Sequence, residues 1–467
     1  MVGVASPTQE AASLAALGIF ALQHRGQESA GIAVSDGKDV MVYKDLGLVD
    51  QVIDERRLES LRGHLAIAHC RYSTTGSTIW ENSQPTFRLG PRRAVAVGHN
   101  GNLVNTQALL DELPGGRSRL VGTTDTELLT ALLATEPGAD VVEALVGLLP
   151  RLSGAYSLVV MDEGRVVGAR DPYGFRPLVM GVIPSADGET WCLASETAAL
   201  DVLGAEYVRD VEPGELVVLG EPGGPRSVRF AEGKEQLCVF ELIYFARPDS
   251  YMLGRNLYEV RRRMGEELAR EAPAEADLVM PVPETGAPAA AGYAEASGIP
   301  YREGMTRNRY AGRTFIQPSN GLRQRGVTVK LSVLREQVRD RRLIVVDDSI
   351  VRGTTTRQIV GLLRRAGARE VHVRISAPPI FHPCFYGIDT QIETELIAGS
   401  KSVEEIREFI GADSLAYLSI GGVLDAVDLP RDRFCFACFD GKYPVPVPYD
   451  AGNRKFLLER EPLTLVR

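Results

Sequence analysis

The sequence predicts two layered domains in series, an α+β domain followed by an α/β domain built on a parallel sheet. Three observations predict it. The chain has 467 residues, too many for one ordinary core. Its first half reads as short apolar strands separated by turns and interrupted by helical patches, an order that suggests α+β layering. Its second half repeats strand, helix, strand, the rhythm of a parallel sheet.

In chain order, Leu65-Ala66-Ile67-Ala68-His69, Ala94-Val95-Ala96-Val97-Gly98 and Ser157-Leu158-Val159-Val160-Met161 read as strands. Residues 125–134 read as a helix, with Leu128, Leu129, Leu132 and Leu133 on its apolar side. The polar stretch Ala231-Glu232-Gly233-Lys234-Glu235 is the expected end of the first domain, giving domains at 1–232 and 233–467. Beyond it, a helical pattern at 256–270 precedes the strand Asp277-Leu278-Val279-Met280. A second buried strand at Leu343-Ile344-Val345-Val346 leads to a helix at 356–366, ended by Gly367, and a third strand at 371–375.

Composition narrows the function. Hydrophobic residues are 44% and charged residues 24%, and the net charge is −9. A nucleic-acid binder normally carries the opposite balance, so nucleic acid is not the expected partner. No apolar run has the length of a membrane span, and the first residues lack the pattern of a signal peptide. A cytoplasmic location is expected.

The most specific segment is Leu343-Ile344-Val345-Val346-Asp347-Asp348-Ser349-Ile350-Val351-Arg352-Gly353-Thr354-Thr355-Thr356. Two carboxylates stand at the C-terminal end of a buried strand, where open α/β sheets bind ligands. A turn follows, rich in hydroxyls and free N–H groups, and a helix begins there, which suits a phosphate. The carboxylates would repel that phosphate but can accept hydrogen bonds from sugar hydroxyls. The element therefore fits a phosphorylated sugar. No Gly-Lys-Ser/Thr follows the glycine, so it is not a Walker loop.

These residues resemble the signature of type I phosphoribosyltransferases, which bind phosphoribosyl pyrophosphate (PRPP). The resemblance implies that Asp347 and Asp348 hold the ribose hydroxyls and help position Mg²⁺. It implies that Ser349, Arg352, Gly353, Thr354 and Thr355 cradle the 5′-phosphate. Pro281-Val282-Pro283-Glu284-Thr285-Gly286 looks like the family's pyrophosphate loop, with Thr285 near the metal. The basic, glycine-punctuated stretch from Asn308 through Arg313, Arg323 and Arg325 to Lys330 has the composition of a lid over an anionic substrate. Lys330 is an expected PRPP contact.

In the first half, Gln23-His24-Arg25-Gly26-Gln27-Glu28, His69-Cys70-Arg71-Tyr72, Gly98-His99-Asn100-Gly101-Asn102 and Thr124-Asp125-Thr126-Glu127 stand out. In this order they look like the class II, N-terminal-nucleophile glutamine amidotransferase domain, with its αββα layers. The resemblance implies that Arg71 binds the glutamine carboxylate and Asp125 its ammonium. Asn100 and the N–H of Gly101 would stabilise an oxyanion. Both halves together are similar to the glutamine PRPP amidotransferase family, which makes phosphoribosylamine at the entry to purine synthesis. Such enzymes imply PRPP and glutamine as substrates, inhibition by purine nucleotides and a homo-oligomer.

One feature departs from that family. Its nucleophile is a Cys in an amino-terminal Cys-Gly-x-x-Gly, and Met1-Val2-Gly3 matches only the last three positions. The expectation is a native start upstream of Met1; the alternative is a purely ammonia-dependent enzyme. Cys70, beside Arg71, is expected to face away and not to replace the nucleophile.

The remaining cysteines form a second pattern. Cys435-Phe436-Ala437-Cys438 can place two thiolates on one metal centre. With Cys238 and Cys384 their contexts resemble the branch of the family that carries a [4Fe–4S] cluster; spacing alone equally permits zinc. Cys192, like Cys70, reads as packing. Two other readings are a non-catalytic PRPP or nucleotide sensor and a nucleobase phosphoribosyltransferase. A sensor needs no lid and no ammonia source, and the last reading leaves the first half unexplained.

Overall fold

A computed structural model of the protein describes residues 1–308, 330–447 and 456–459. The first half is built from two antiparallel sheets. One has seven strands in the order Glu206–Asp210, Val179–Ser185, Gly188–Ala194, Val2–Ala5, Leu65–Arg71, Ser29–Ser35 and Val40–Leu46. The other has six, in the order Arg226–Arg229, Glu215–Leu219, Val166–Arg170, Gly154–Met161, Ala94–Leu103 and Thr86–Leu89.

The sheets face each other through Ala33, Leu65 and Ile67 on one side and Ala96, Val159, Met161 and Val217 on the other. Helices Ala11–Ala21 and Thr197–Leu203 cover the outer face of the first sheet, and Asp125–Thr135 and Val141–Leu148 that of the second. The layers are therefore α, β, β, α, as the family resemblance implies. Because both faces of each sheet are covered, central strands such as Leu65–Arg71 and Gly154–Met161 are buried at every residue. That explains why they read as continuous apolar runs rather than clean alternation.

The second half carries a parallel sheet in the order Leu278–Pro281, Arg342–Asp347, Glu370–Ile375 and Ser414–Tyr417. Helices Leu257–Glu271, Ala287–Ser297, Thr354–Arg365, Val403–Ile410 and Ile420–Val427 contribute to its core. The first of these starts at Asn256, whose side chain accepts from Glu259 N at 3.1 Å, a standard N-cap. Strands Met305–Arg307 and Leu331–Val333 pair antiparallel, and Asn308 N donates to Lys330 O at 2.8 Å. The rest of the expected lid, 309–329, lies outside the described residues.

Residues 230–236 run between the strand Arg226–Arg229 and Leu237–Cys238, which pairs with Phe434–Cys435 far along the chain. Buried ion pairs fasten the halves together. Arg25 reaches Glu241 at 2.7 Å and Glu196 at 2.5 Å, and Arg176 reaches Glu241 at 2.9 Å. The carboxylates of Glu196 and Glu241 are fully inaccessible. No helix among the described residues is long and apolar enough to cross a membrane.

Candidate active site

Two adjoining pockets and one apolar cavity gather most of the residues singled out by sequence. The first pocket, of about 570 Å³, lies where the ends of Leu65–Arg71 and Ala94–Leu103 meet the start of helix Asp125–Thr135. Arg71, Asn100, Gly101 and Asp125 all line it, with His69, His99 and Arg176.

Thr124 caps the helix by accepting from Glu127 N at 3.1 Å, leaving Asp125 on its first turn. Asp125 accepts from Leu103 N at 3.0 Å and from Thr126 N at 2.9 Å. Arg71 is buried and donates to the carbonyls of Thr75 at 2.8 Å and Ser77 at 3.3 Å. Burial lowers its pKa, against the nearby charges of Glu28 and Asp125. Gly101 has φ +141°, and a Cβ there would sit 2.1 Å from Ala155 O. Only glycine fits this position in the strand.

The amide of Asn100 is oriented at both ends. Its Oδ1 accepts from His69 Nε2 at 3.1 Å and its Nδ2 donates to Ser195 Oγ at 2.9 Å. His69 also donates to His99 O at 3.1 Å, and burial holds its pKa well below the ordinary value. The amino group of Met1 donates to the same Ser195 Oγ at 2.9 Å, and burial lowers its pKa to about 5. The first strand thus begins beside the expected oxyanion amide. Cys70 also lines the pocket, but its thiol donates to Leu22 O at 3.3 Å in the layer of helix Ala11–Ala21, and burial pushes its pKa up.

The second pocket is a cleft of about 2180 Å³. Thr285, Asp347, Asp348, Ser349, Arg352, Gly353, Thr354 and Thr355 all line it. Strand Arg342–Asp347 delivers the two carboxylates, and helix Thr354–Arg365 begins two residues earlier than its apolar pattern indicates, directly after Gly353. Gly353 has φ +72°, and a Cβ there would meet Ile397 Cδ1 at 2.8 Å. Burial, then the charge of Asp348, pushes the Asp347 carboxyl well above its ordinary range. Burial raises Asp348 too, against hydrogen bonds from Ser349, at 2.6 Å, and Thr285. Arg352, on the cleft lining, pairs with Glu395. Lys330, expected as a contact, is not among the lining residues.

Several lining residues escaped the sequence reading. Arg261 lies buried under the cleft, donates to the carbonyls of Leu242 and Ala246 at 2.7 Å, and lends its charge to Asp348. Within an amphipathic helix it looks like any solvated arginine. Tyr72, Phe245 and Gly387 line both pockets and so form the wall between them.

The third space, of about 450 Å³, is lined by Cys238, Cys384, Cys435 and Cys438 together with Phe175, Phe240, Ile380 and Tyr386. Cys238 and Cys435 are direct partners on adjacent strands. Burial raises the Cys238 thiol to about 11 and lifts Cys435 and Cys438 well above the usual range. Among the described residues no three His, Cys, Asp or Glu stand close enough to hold a single metal ion.

Two family models match parts of the chain. Residues 69–202 match the glutamine amidotransferase domain, and residues 251–378 the phosphoribosyl transferase domain. An amidophosphoribosyltransferase of Mycobacterium bovis is 51% identical over 98% of this chain and 88% of its own length. The glutamine PRPP amidotransferase of B. subtilis, solved with ADP and GMP, superposes with a TM-score of 0.88 at 45% identity, covering 96% of this chain and 98% of that one. A structure described as the allosteric regulatory enzyme of purine biosynthesis gives 0.90 at 44% identity, covering 98% and 99%.

Proposed function

The chain belongs to the amidophosphoribosyltransferase family, and on that premise we propose how its cavities divide the reaction. It is a pentosyltransferase that takes nitrogen from glutamine to C1 of PRPP, giving phosphoribosylamine, pyrophosphate and glutamate. The observation that carries the reading is the adjacency of two unlike pockets across one wall of Tyr72, Phe245 and Gly387. One presents oxyanion donors; the other presents a phosphate-binding helix start and paired carboxylates.

In this reading Arg71 and Asp125 hold the two charged ends of glutamine. Asn100 Nδ2 and Gly101 N–H stabilise the oxyanion that forms when the amide is attacked. Asp347 and Asp348 accept hydrogen bonds from the ribose hydroxyls, and the 349–355 turn donates N–H and hydroxyl groups to the 5′-phosphate. Lys330, just ahead of strand Leu331–Val333, would add a positive charge for the substrate. Two buried carboxyls beside the Thr285 hydroxyl make an oxygen donor set suited to Mg²⁺, which would offset the charge of the departing pyrophosphate. The direct test follows pyrophosphate release from PRPP with ammonium and magnesium present. Release that depends on ammonia supports the reading; PRPP binding without release would leave a sensor in its place.

Finer proposals attach to it. Four cysteines around one apolar cavity, Cys238, Cys384 and Cys435 buried and Cys438 partly so, fit a [4Fe–4S] group in a structural role. Anaerobically purified protein should then contain iron and acid-labile sulfide, and their absence would remove the cluster. Purine nucleotide inhibition, a homo-oligomeric state and a cytoplasmic location complete the proposal; the ADP and GMP in the B. subtilis structure support the first.

A further inference from the structure

The segment Phe456–Glu459 comes from the far end of the chain and lies against the first domain. Leu458 is 1% exposed and belongs to the core under helices Asp125–Thr135 and Val141–Leu148. Its carbonyl accepts from Arg117 Nε at 2.8 Å. Next to it, Glu459 Oε1 accepts from Ser77 N at 2.8 Å and from Thr123 Oγ1 at 2.9 Å. These two partners belong to different loops, and each loop leads to one of the residues assigned to glutamine.

Ser77 sits in the turn after Arg71, and its carbonyl accepts from Arg71 Nη1 at 3.3 Å and from Asn82 Nδ2 at 2.8 Å. Thr123 directly precedes Thr124, the cap of the helix that carries Asp125. The fully buried Asn82 ties the loops together, donating to Thr123 Oγ1 at 2.8 Å and accepting from Thr123 N at 2.7 Å. One carboxylate therefore closes a ring that runs Glu459, Ser77, Asn82, Thr123. The charges also match, because the field of Glu459 reaches Arg71, adding to those of Glu28 and Asp125.

We infer that Glu459 is a positioning residue for the glutamine pocket, fastening the 75–77 turn to the Thr123 turn so that Arg71 and Asp125 keep their spacing. It does not line the pocket and touches no substrate. The inference rests on the proposed glutamine site. A C-terminal element of the sugar-binding half thereby sets the geometry of the other half's pocket.

The test is calorimetric titration of L-glutamine into the full-length protein and its Glu459→Ala and Glu459→Gln variants, with hydrogen exchange read at the Ser77 amide. Loss of the carboxylate in Glu459→Ala should weaken glutamine binding roughly tenfold, the scale of one charge-assisted hydrogen bond, and speed exchange at Ser77. Glutamine at 459 keeps an acceptor oxygen, so Glu459→Gln should restore most of both, which a general loss of stability would not. Wild-type affinity and wild-type Ser77 exchange in Glu459→Ala would overturn the inference alone. A wild-type protein with no affinity for glutamine would overturn the glutamine site and the inference with it.

Discussion

Asp347 and Asp348 are neighbours in a buried corner, so each ionises at the other's expense. A carboxyl whose pKa is higher folded than unfolded binds more protons in the native state. Stability then falls as pH rises from the unfolded value to the raised folded value, and the penalty stays in place above it. Asp347→Asn removes that penalty, so the ligand-free variant should melt higher than wild type at neutral pH and no higher at acid pH below both values. The same substitution should cost roughly 10²–10³-fold in turnover, the scale of losing one preorganised polar contact in a transition state. Thermal scans at two pH values and initial rates check both halves. A variant less stable at neutral pH would contradict the account. These two residues were legible in the sequence because a buried strand ending in paired acids is unusual. Arg261, which offsets the charge of Asp348, was not, since its role depends on a carbonyl cage drawn from residues 242–246.

The strand, turn and helix around residue 353 act as one element. Gly353 turns the chain through φ +72° and leaves no room for a side chain beside Ile397. Gly353→Ala costs about 1–2 kcal/mol in backbone conformation, besides the contact at Ile397 Cδ1. The turn should shift and PRPP affinity should fall roughly tenfold or more, in line with that energy. Calorimetry on the variant checks it, and unchanged affinity would show that the turn does not hold the phosphate. Three of the parallel strands were read from sequence because each is an isolated apolar run; Ser414–Tyr417, only half-buried along its length, was missed. The helix start was read two residues late, at 356 rather than Thr354, because Thr354 and Thr355 interrupt no apolar face but are polar. The partnership of Leu237–Cys238 with Phe434–Cys435 was beyond reach, since two-residue strands some two hundred positions apart leave no periodic signal.

At the scale of the molecule, the halves are locked by charges that water does not reach. Glu241 accepts from both Arg25 and Arg176, and Phe245, one turn away, packs beneath both guanidinium groups. Glu241→Ala would leave Arg176 without its carboxylate and should destabilise the protein by about 3–5 kcal/mol, the usual cost of breaking a buried pair. Denaturant unfolding measures it, and a change under ~0.5 kcal/mol would mean the network bears little load at the interface. The sequence placed Gln23-His24-Arg25 among the glutamine-domain motifs, yet gave Arg25 no partner, because its partners lie 171 and 216 positions away.

The central claim is that acidic side chains and a helix start together grip a sugar phosphate ester. Titration of PRPP with magnesium into wild-type protein and into Asp347→Asn tests it most directly. The account predicts saturable binding by wild type at one site per chain and binding at least roughly tenfold weaker in the variant. Wild-type protein that gives no binding heat, or a variant that binds as tightly, would contradict it.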